Sequence, residues 1–527
     1  MVQRPTKPRH QSPGATNAQY ESFLPLWKRA RAVMNGEHAV KQSDRRIDRA
    51  NFSNLLIPFS PFMSDQQYAF YKAEAELPGL VSQYGKVLSG GLLRRRPVLE
   101  LPDEVPEEAM QWLTDDFTVN GQSIISFLDE ALWEEIVSSR AWVFVDYPSV
   151  PNAEDLSSEE RAKIRPYPVL WRAEDVINWQ TKLSPTTGQE ILSRVVIRYF
   201  EEEYEDADAF SPELVEYAID HSLDENNSYR VRYFKRKDDQ TVEVAGSDIR
   251  RSYNFSGEDM PASWVLTRTV YPQIHGEPLR KIPAFPLNGS IRPREPVLMP
   301  LIDREVSLYN KMAHRNHLLY TASTFTPVFM TSISDESFGA IVEQGLGTYI
   351  RLNPEDSVDS LKAPTEALDG LELSIGSSVG EMARMGIRLL APDGAGTSDS
   401  GIALEIRNSA QTSQLSTLNI KISQTMRDII CLMLEWKYEL DLDPSEIGFT
   451  LSADFNPAPM GEAWMRMISD WYDSGKIPRS LWLEMAKQND VIPIDYDDDE
   501  GVAEIASDPT RIAEPPTTID PDAFPRR

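Results

Sequence analysis

The chain has 527 residues, of which 41% are hydrophobic, so it is long enough for several domains with a sizeable core. Its one cysteine, Cys431, excludes an intramolecular disulfide and a zinc site built from cysteines. A formal net charge of −29 disfavours tight binding of nucleic acid, because affinity for DNA comes mainly from Lys and Arg.

Two interpretations of this charge stay open. Either the protein makes no contact with DNA, or it forms a channel whose negatively charged wall repels DNA and lets it slide through. No apolar run approaches the roughly 18–20 residues that cross a bilayer, and the first ten residues are polar. We therefore expect a soluble protein that is not exported and does not bind a membrane.

The first 295 residues predict a mixed α and β body. Residues 1–19 are rich in polar residues and are predicted to be disordered, and a short helix is predicted over 20–34. Ser64 with Gln67 three residues later is typical of a helix N-terminus. The helical pattern continues to Leu88, with an interruption expected at the Pro-Gly pair 78–79.

An amphipathic helix is predicted over 121–138, where apolar residues recur at spacings of three and four. These residues are Ile124, Phe127, Leu128, Leu132 and Ile136. A buried strand is predicted at 141–146 directly after it. Four further strands are expected in the next part of the chain, at 191–200, 229–236, 241–244 and 263–267.

Two rod-like helices are predicted around a small insertion. The first, 301–322, contains no Pro or Gly and places Leu301, Leu308, Met312 and Leu319 on one face, over a length of about 33 Å. The insertion, 323–363, is predicted to hold strands at 326–330 and 348–352 around a short helix at 334–344.

The second rod follows Pro364, and its apolar stripe has a spacing close to a heptad repeat. The stripe consists of Leu368, Leu371, Ile375, Val379, Met382, Gly386 and Leu389. The same segment contains glycines at 370, 376, 380 and 386, each unfavourable in an isolated helix. Either the helix is broken, or it packs so closely against a neighbour that small residues are required.

Residues 391–400 predict a loop, because Gly, Ser, Asp and Pro dominate them. A helix of about 55–60 Å follows over 401–440, with an apolar stripe that includes Ile422, Ile429 and Met433. A strand is predicted at 447–455, with helices at 461–473 and 478–487 and a disordered acidic tail after them.

No motif for catalysis or cofactor binding occurs. The glycine-rich segment before Gly401 has no lysine, so it is not a phosphate-binding P-loop, and metalloprotease and EF-hand spacings are missing. His314 and His317 are one helical turn apart but lack a third ligand, and the acidic run 495–500 lacks the glycine turn of a calcium loop. We expect no enzyme activity, no cofactor and no metal.

Several segments, taken in their order along the chain, resemble the corresponding segments of a known protein family. The first rod has an Asp-x-x-x-Ser-Leu-Tyr-Asn-Lys core (303–311), and the long helix opens with Ser-Gly-Ile-Ala-Leu (400–404). A strand ending in Ala-Asp-Phe-Asn-Pro-Ala-Pro (453–459) and a Ser-Gly-Lys-Ile-Pro segment (474–478) follow. Over about residues 50–500 the chain resembles the portal proteins of tailed bacteriophages, in particular a portal family often described only as a domain of unknown function.

The resemblance implies an α+β portal fold with the following parts. They are a disordered N-terminus (1–19), a wing (20–295 and 401–459), stem helices (296–322 and 364–390), a clip (323–363), a tunnel loop (391–400), a crown (460–500) and a disordered tail (501–527). It also implies a homo-oligomeric ring of about twelve subunits at one capsid vertex.

By this resemblance, the ring is assembled in the host cytoplasm and becomes part of the virion. It is the channel for packaging and ejection of double-stranded DNA. By the same resemblance, its partners are the terminase, the head–tail adaptor, the major capsid protein and the scaffold protein.

The resemblance places a set of loop residues beside the DNA: Asp393, Gly394, Gly396, Thr397, Ser398, Asp399 and Ser400. This loop contains two aspartates and no basic residue. Basic contacts with DNA would therefore come from the stem, where the candidates are Lys311, Arg315, Arg384 and Arg388. Two alternatives remain: a virion structural or connector protein without a channel, and an α+β enzyme with an unrecognised site.

Overall fold

The computed structural model describes most of the chain up to residue 451. The described residues are 12–44, 48, 53–148, 164–184, 188–204, 206, 210–237, 263–274, 276–323, 328–330, 350–352, 365–385, 401–451, 466, 469–470, 472, 474, 476, 478–479 and 482–483. The chain divides into two compact units, Met1–Ala453 and Asp454–Arg527. The first unit contains both helices and sheets, so its fold class is mixed α+β.

In the described part of the first half, six helices precede or interrupt the strands. They are α1 (Ala18–Met34), α2 (Glu37–Ser43), α3 (Asp65–Glu74), α4 (Leu80–Leu92), α5 (Glu107–Asp115) and α6 (Ile124–Ser138). Ser64 begins α3 as predicted, since its hydroxyl accepts from the Gln67 amide while the Gln67 side chain accepts from the Ser64 amide. The predicted interruption is confirmed, because Gly79 has a φ of 70° between α3 and α4.

Within the described residues the strands form one large sheet and four small ones. They are β1 (Val98–Glu100), β2 (Trp142–Asp146), β3 (Tyr167–Trp171), β4 (Val176–Leu183), β5 (Glu190–Glu203), β6 (Glu213–Leu223), β7 (Tyr229–Lys237), β8 (Ser263–Val270), β9 (Gln273–Ile274), β10 (Glu277–Pro278), β11 (Ala284–Pro286), β12 (Val328–Met330), β13 (Ile350–Leu352) and β14 (Gly448–Thr450). Strands β4 to β8 form an antiparallel meander in chain order, and β2 lies between β11 and β3. β1 pairs with β14, β9 with β10, and β12 with β13, the last pair in parallel.

Strand β6 lies at the centre of the five-stranded sheet, and sequence patterns missed it. Its most buried positions include Glu216 and Asp220, which are 7% and 3% exposed. Asp220 is neutralised by Arg232, whose Nε donates to Oδ2 at 2.9 Å. Because polar side chains occupy the inward positions, the alternation that reveals a half-buried strand is reversed. Strands β3 and β4 were missed as well.

The helical core joins the first helices to the later ones. Residues of α1, α3 and α4 share one buried cluster with Leu301, Leu308, Tyr309 and Met382. The predicted apolar face of α6 is confirmed, since all five of its residues are buried. Three charged side chains join α1 to its neighbours: Arg31 donates to Glu134 of α6 at 2.7 Å and to Glu174, between β3 and β4, at 2.6 Å.

Three long helices follow the sheets: α7 (Met299–Ser323), α8 (Thr365–Arg384) and α9 (Gly401–Tyr438). They confirm the two rods and the long helix over the described residues, and α8 runs without a break across Gly370, Gly376 and Gly380. Gly386 and the predicted end of this rod lie outside the described residues. Leu319 and Val379, which belong to the predicted stripes of the two rods, are 45% and 42% exposed in the single chain. In α9, Ile422, Ile429 and Met433 are fully buried as predicted.

Strand β14 is shorter than the predicted strand 447–455, whose last residues lie outside the described part of the chain. Also outside it are the predicted strand 241–244, the helix 334–344, the loop 391–400 and the tail after 494. In the second unit, the described positions 466, 469–470, 472, 479 and 482–483 are helical, in line with the predicted helices. Over the described residues, no helix is both long and apolar enough to span a bilayer.

Candidate functional site

The two rods, α7 and α8, pack side by side within one chain. Arg304 Nη1 lies 3.2 Å from Glu381 Oε2, and Lys311 Nζ donates to Ser378 Oγ at 2.7 Å. Residues further along α7 thus meet residues nearer the start of α8, so the two helices are antiparallel. A chain that returns beside itself after a short insertion is the arrangement that the sequence predicted for 301–322 and 365–390.

A buried polar contact joins these two helices in addition to the Arg304–Glu381 ion pair. Ser378 is 7% exposed, and its hydroxyl donates to the Ser374 carbonyl at 3.0 Å while accepting from Lys311. Met382, one turn further along α8, is fully buried beside the α7 core residues. The ammonium group of Lys311 is therefore held opposite Ser378, and this contact fixes how far α7 and α8 are shifted along each other.

Helix α7 is also bound tightly to the body by side chains that cap other segments. Glu305 is fully buried and accepts from the amides of Leu80 and Val81 at the start of α4. Burial raises the pKa of Glu305, although these two amides favour its charged form. Asn310 donates to the Leu55 carbonyl and accepts from the Ile57 amide, each at 2.7 Å.

Glu305 and Ser378 were not predicted from the sequence, because their roles depend on partners more than 60 residues away. For Glu305 one signal was present. It is a carboxylate among the apolar positions Ile302, Val306 and Leu308 of a helix, where an isolated charge would be costly to bury. Such a residue predicts a buried hydrogen-bonding partner but cannot identify it.

The proposed stem residues occupy different environments. Lys311 points at Ser378 of its own chain, and Arg315, one turn further along α7, donates through Nε and Nη2 to Asn316 Oδ1. Arg384 is exposed at the end of α8. Arg388 and the loop residues Asp393, Gly394, Gly396, Thr397, Ser398, Asp399 and Ser400 lie outside the described residues. That any of these residues faces DNA stays a prediction.

The two histidines of α7 do not act together. His314 is exposed, whereas the ring of His317 stacks on Phe59 at 4.4 Å and meets the edge of Tyr71. Burial lowers the pKa of His317. Among the described residues, no group of three or more His, Cys, Asp or Glu side chains is arranged to hold a metal ion.

A second polar feature is a cavity of about 550 Å³ on one face of the five-stranded sheet. It lies beside Arg194 and Arg232, which share the buried carboxylate of Asp220, and beside the aromatic rings of Phe234 and Trp264. The carboxylate offsets one of the two positive charges. This cavity was not predictable from the sequence, because its residues come from all five strands of the sheet and from the segment before α1.

No protein-family model matches the chain, and no curated protein matches it.

Proposed function

We propose that this chain is a portal subunit of a tailed bacteriophage, one of a ring of copies that surrounds a DNA channel at a capsid vertex. The observation that carries the proposal is an ordered series: an antiparallel rod pair, α7 and α8, separated by a module containing the parallel pair β12–β13, and followed by the 38-residue helix α9. In a portal these would be the stem, the clip and the long helix of the wing.

The dimensions of the rods suit a channel wall. With 25 residues, α7 extends over about 37 Å, comparable to a full turn of duplex DNA, and α8 lies antiparallel beside it. Such a rod presents a long, regular surface to a passing duplex.

The charge of the rods suits a passive conduit. Helix α8 carries four acidic residues and one basic residue, and the only lysine of the rod pair, Lys311, already donates to Ser378. A wall with few free cations binds phosphates weakly, so DNA can slide through it. In this proposal the ring is not an enzyme, and a separate ATPase supplies the work of packaging.

The remaining parts of the proposal assign partners to surfaces. The clip, 323–363, would receive the terminase during packaging and the head–tail adaptor afterwards. The wing would contact the major capsid protein and the scaffold protein. The loop 391–400 would act as a gate toward the DNA, with hydroxyl and backbone groups in place of basic side chains.

Negative-stain electron microscopy of the purified full-length protein tests the proposal. We expect ring-shaped particles with a stain-filled central hole. Particles that assemble without a hole would favour a structural or connector protein that has no DNA channel. Particles of single-chain size at every protein concentration would contradict both interpretations.

A further inference from the structure

One face of the five-stranded sheet is rich in arginine. The opposite face packs against the three-stranded sheet, where the Phe144 ring of β2 lies 4.8 Å from that of His221 and the Trp171 ring of β3 lies 5.7 Å from that of Tyr199. Side chains alternate between the two faces of a strand, and residues paired directly across strands share a face. The pairing of β5, β6, β7 and β8 therefore places five arginines on the face away from the small sheet: Arg194, Arg198, Arg230, Arg232 and Arg236.

Between Glu216 and Ser222, strand β6 supplies two buried carboxylates to this face. Asp220 Oδ1 lies 3.1 Å from Arg194 Nε, and Asp220 Oδ2 accepts from Arg232 Nε at 2.9 Å. Glu216 pairs in the same way with two of the other arginines. Each carboxylate balances one of the two cations beside it, so this part of the sheet has an excess of positive charge in a chain with a net charge of −29.

The cavity of about 550 Å³ lies on this face, and the segment before α1 forms one of its walls. Asn178 of β4 donates to the Ala15 carbonyl at 2.9 Å, and the Asn17 amide donates to the Ile177 carbonyl at 3.3 Å. The indole ring of Trp264 in β8 lies against Gly14, where an added Cβ would come within 3.0 Å of the ring. The segment thus contacts both edge strands of the sheet, β4 and β8.

Asp220 orients two guanidinium groups that line this cavity. Its side chain is 3% exposed, and it engages Nε of Arg194 and both Nε and Nη2 of Arg232. The Arg232 guanidinium is held from another side by the Phe234 ring, at 5.5 Å from its centre. Within the described residues these guanidinium groups make no further hydrogen bond, so the Nη groups of Arg194 remain available. A guanidinium group binds a phosphate or a carboxylate through parallel N–H donors.

We propose that this cavity binds a small organic anion, a planar ring that carries a phosphate or a carboxylate group. Arg194 and Arg232 bind the anionic group, whose charge balances the cation that Asp220 leaves uncompensated. The rings of Phe234 and Trp264, which line the same cavity, pack against the ring of the ligand. The volume suits a small ligand. The site uses no residue of α7, α8 or α9, so it does not depend on the proposed ring of subunits.

Calorimetric titration of the full-length protein at low ionic strength tests this proposal. The first probe is phenyl phosphate, and inorganic phosphate is the matched probe without a ring. We expect one site per chain and an affinity for phenyl phosphate about fivefold higher, because only this probe reaches the aromatic side chains. Benzoate, titrated in the same way, shows by its relative affinity whether the site prefers a carboxylate or a phosphate. Absence of binding of both phenyl phosphate and benzoate at millimolar concentrations would overturn the proposal.

Arg194→Gln tests the binding of the anionic group. This variant removes one cation and leaves Asp220 paired with Arg232, so the protein should stay folded while its affinity for both phosphate probes falls about tenfold. Arg268→Gln is the matched control, because Arg268 is an exposed arginine of β8 that lies over the Tyr233 ring on the opposite face of the sheet. Equal affinities of the two variants for phenyl phosphate would contradict the assignment.

Trp264→Ala tests the aromatic side of the site separately. The affinity for phenyl phosphate should fall about fivefold, and the affinity for inorganic phosphate should stay the same, because both arginines remain. An equal loss for the two probes would show that Trp264 supports the site and does not contact the ring of the ligand.

The same samples separate this inference from the proposed function. Rings of the expected mass that bind none of the probes would overturn the anion site alone. A single-chain protein that binds phenyl phosphate through Arg194 would support the anion site and contradict the ring.

Discussion

The carboxylate of Glu305 accepts a hydrogen bond at 2.7 Å from the backbone amide of Leu80, the first residue of α4. The second carboxylate oxygen accepts from the Val81 amide at 2.8 Å. A side chain of one helix thus satisfies two of the four amides that the start of another helix leaves without a partner. Since Glu305 belongs to a proposed stem helix, this contact ties the stem to the body.

Replacing this carboxylate should destabilise the protein. Glu305→Gln keeps one acceptor oxygen but turns an amide group toward a buried backbone donor, so we expect a loss of about 2–4 kcal/mol. Thermal melting gives the overall effect, and hydrogen exchange at Leu80 and Val81 gives the local one. Asp303→Asn is the control, because its ion pair with Arg29 is largely exposed and is worth at most about 1 kcal/mol. Equal losses in both variants would contradict the capping role.

A second buried carboxylate predicts a dependence of stability on pH. Burial raises the pKa of Glu135 to about 7 from an ordinary value of 4.5, against the hydrogen bonds donated by Ala141 and Asn288. Between these pH values the folded chain holds a proton that the unfolded chain has released. Stability contributed by Glu135 is therefore complete below about 4.5 and is lost as the pH rises to 7, by up to about 3 kcal/mol.

Glu135→Gln should remove this part of the pH dependence. We expect the melting temperature of the wild type, relative to the variant, to fall between pH 4.5 and 7, and Glu107→Gln, at an exposed glutamate, to follow the wild type. Arg140 stays charged across this range, since burial lowers its pKa only to about 9. Parallel curves for the wild type and Glu135→Gln would show that Glu135 is ionised throughout.

The contact between Lys311 and Ser378 predicts how firmly the two rods are joined. Lys311→Met keeps the aliphatic packing and removes the hydrogen bond at 2.7 Å, so α8 should be held less firmly by about 1–2 kcal/mol. Faster hydrogen exchange in residues 374–384, with unchanged exchange in α6, would be the expected pattern. Equal acceleration in both helices would mean that the lysine supports the whole fold and not the rod pair.

How much the sequence reveals differs between helices and strands. The rods, α6 and α9 were predictable, because each buries one apolar stripe with helical spacing. The spacing alone does not show which residues of a stripe the chain itself buries, because a residue such as Leu319 or Val379 is buried only if another element covers it. Strand β6 was not predictable, since Glu216 and Asp220 face inward and are neutralised by arginines of other strands.

Some features of the candidate site could also be predicted from the sequence, and others could not. The pairing of α7 with α8 follows from two rods joined by a short insertion, and the sequence was sufficient for it. The use of Lys311 inside the seam was not predictable, because an amphipathic pattern does not distinguish a lysine facing DNA from one donating to a serine of the next helix. The exposure of the glycines of α8 depends on which face packs against α7, which is set by side-chain contacts between the two.

If residues 391–400 act as a gate, deleting them should change how DNA is packaged or retained without changing ring assembly. A variant lacking this segment should form rings of wild-type mass, because the contacts described for α7 and α8 do not involve it. Packaging, or retention of packaged DNA, should decrease in an assay with complete capsids. Failure of the variant to form rings would show that the segment supports assembly and is not a gate.

The molecular mass of the purified full-length protein in solution tests the central claim most directly. Light scattering coupled to size exclusion should give several hundred kilodaltons, about 720 kDa for a ring of about twelve chains of 59.7 kDa each. A mass of 59.7 kDa, the single chain, that persists as the protein concentration is raised would contradict the account.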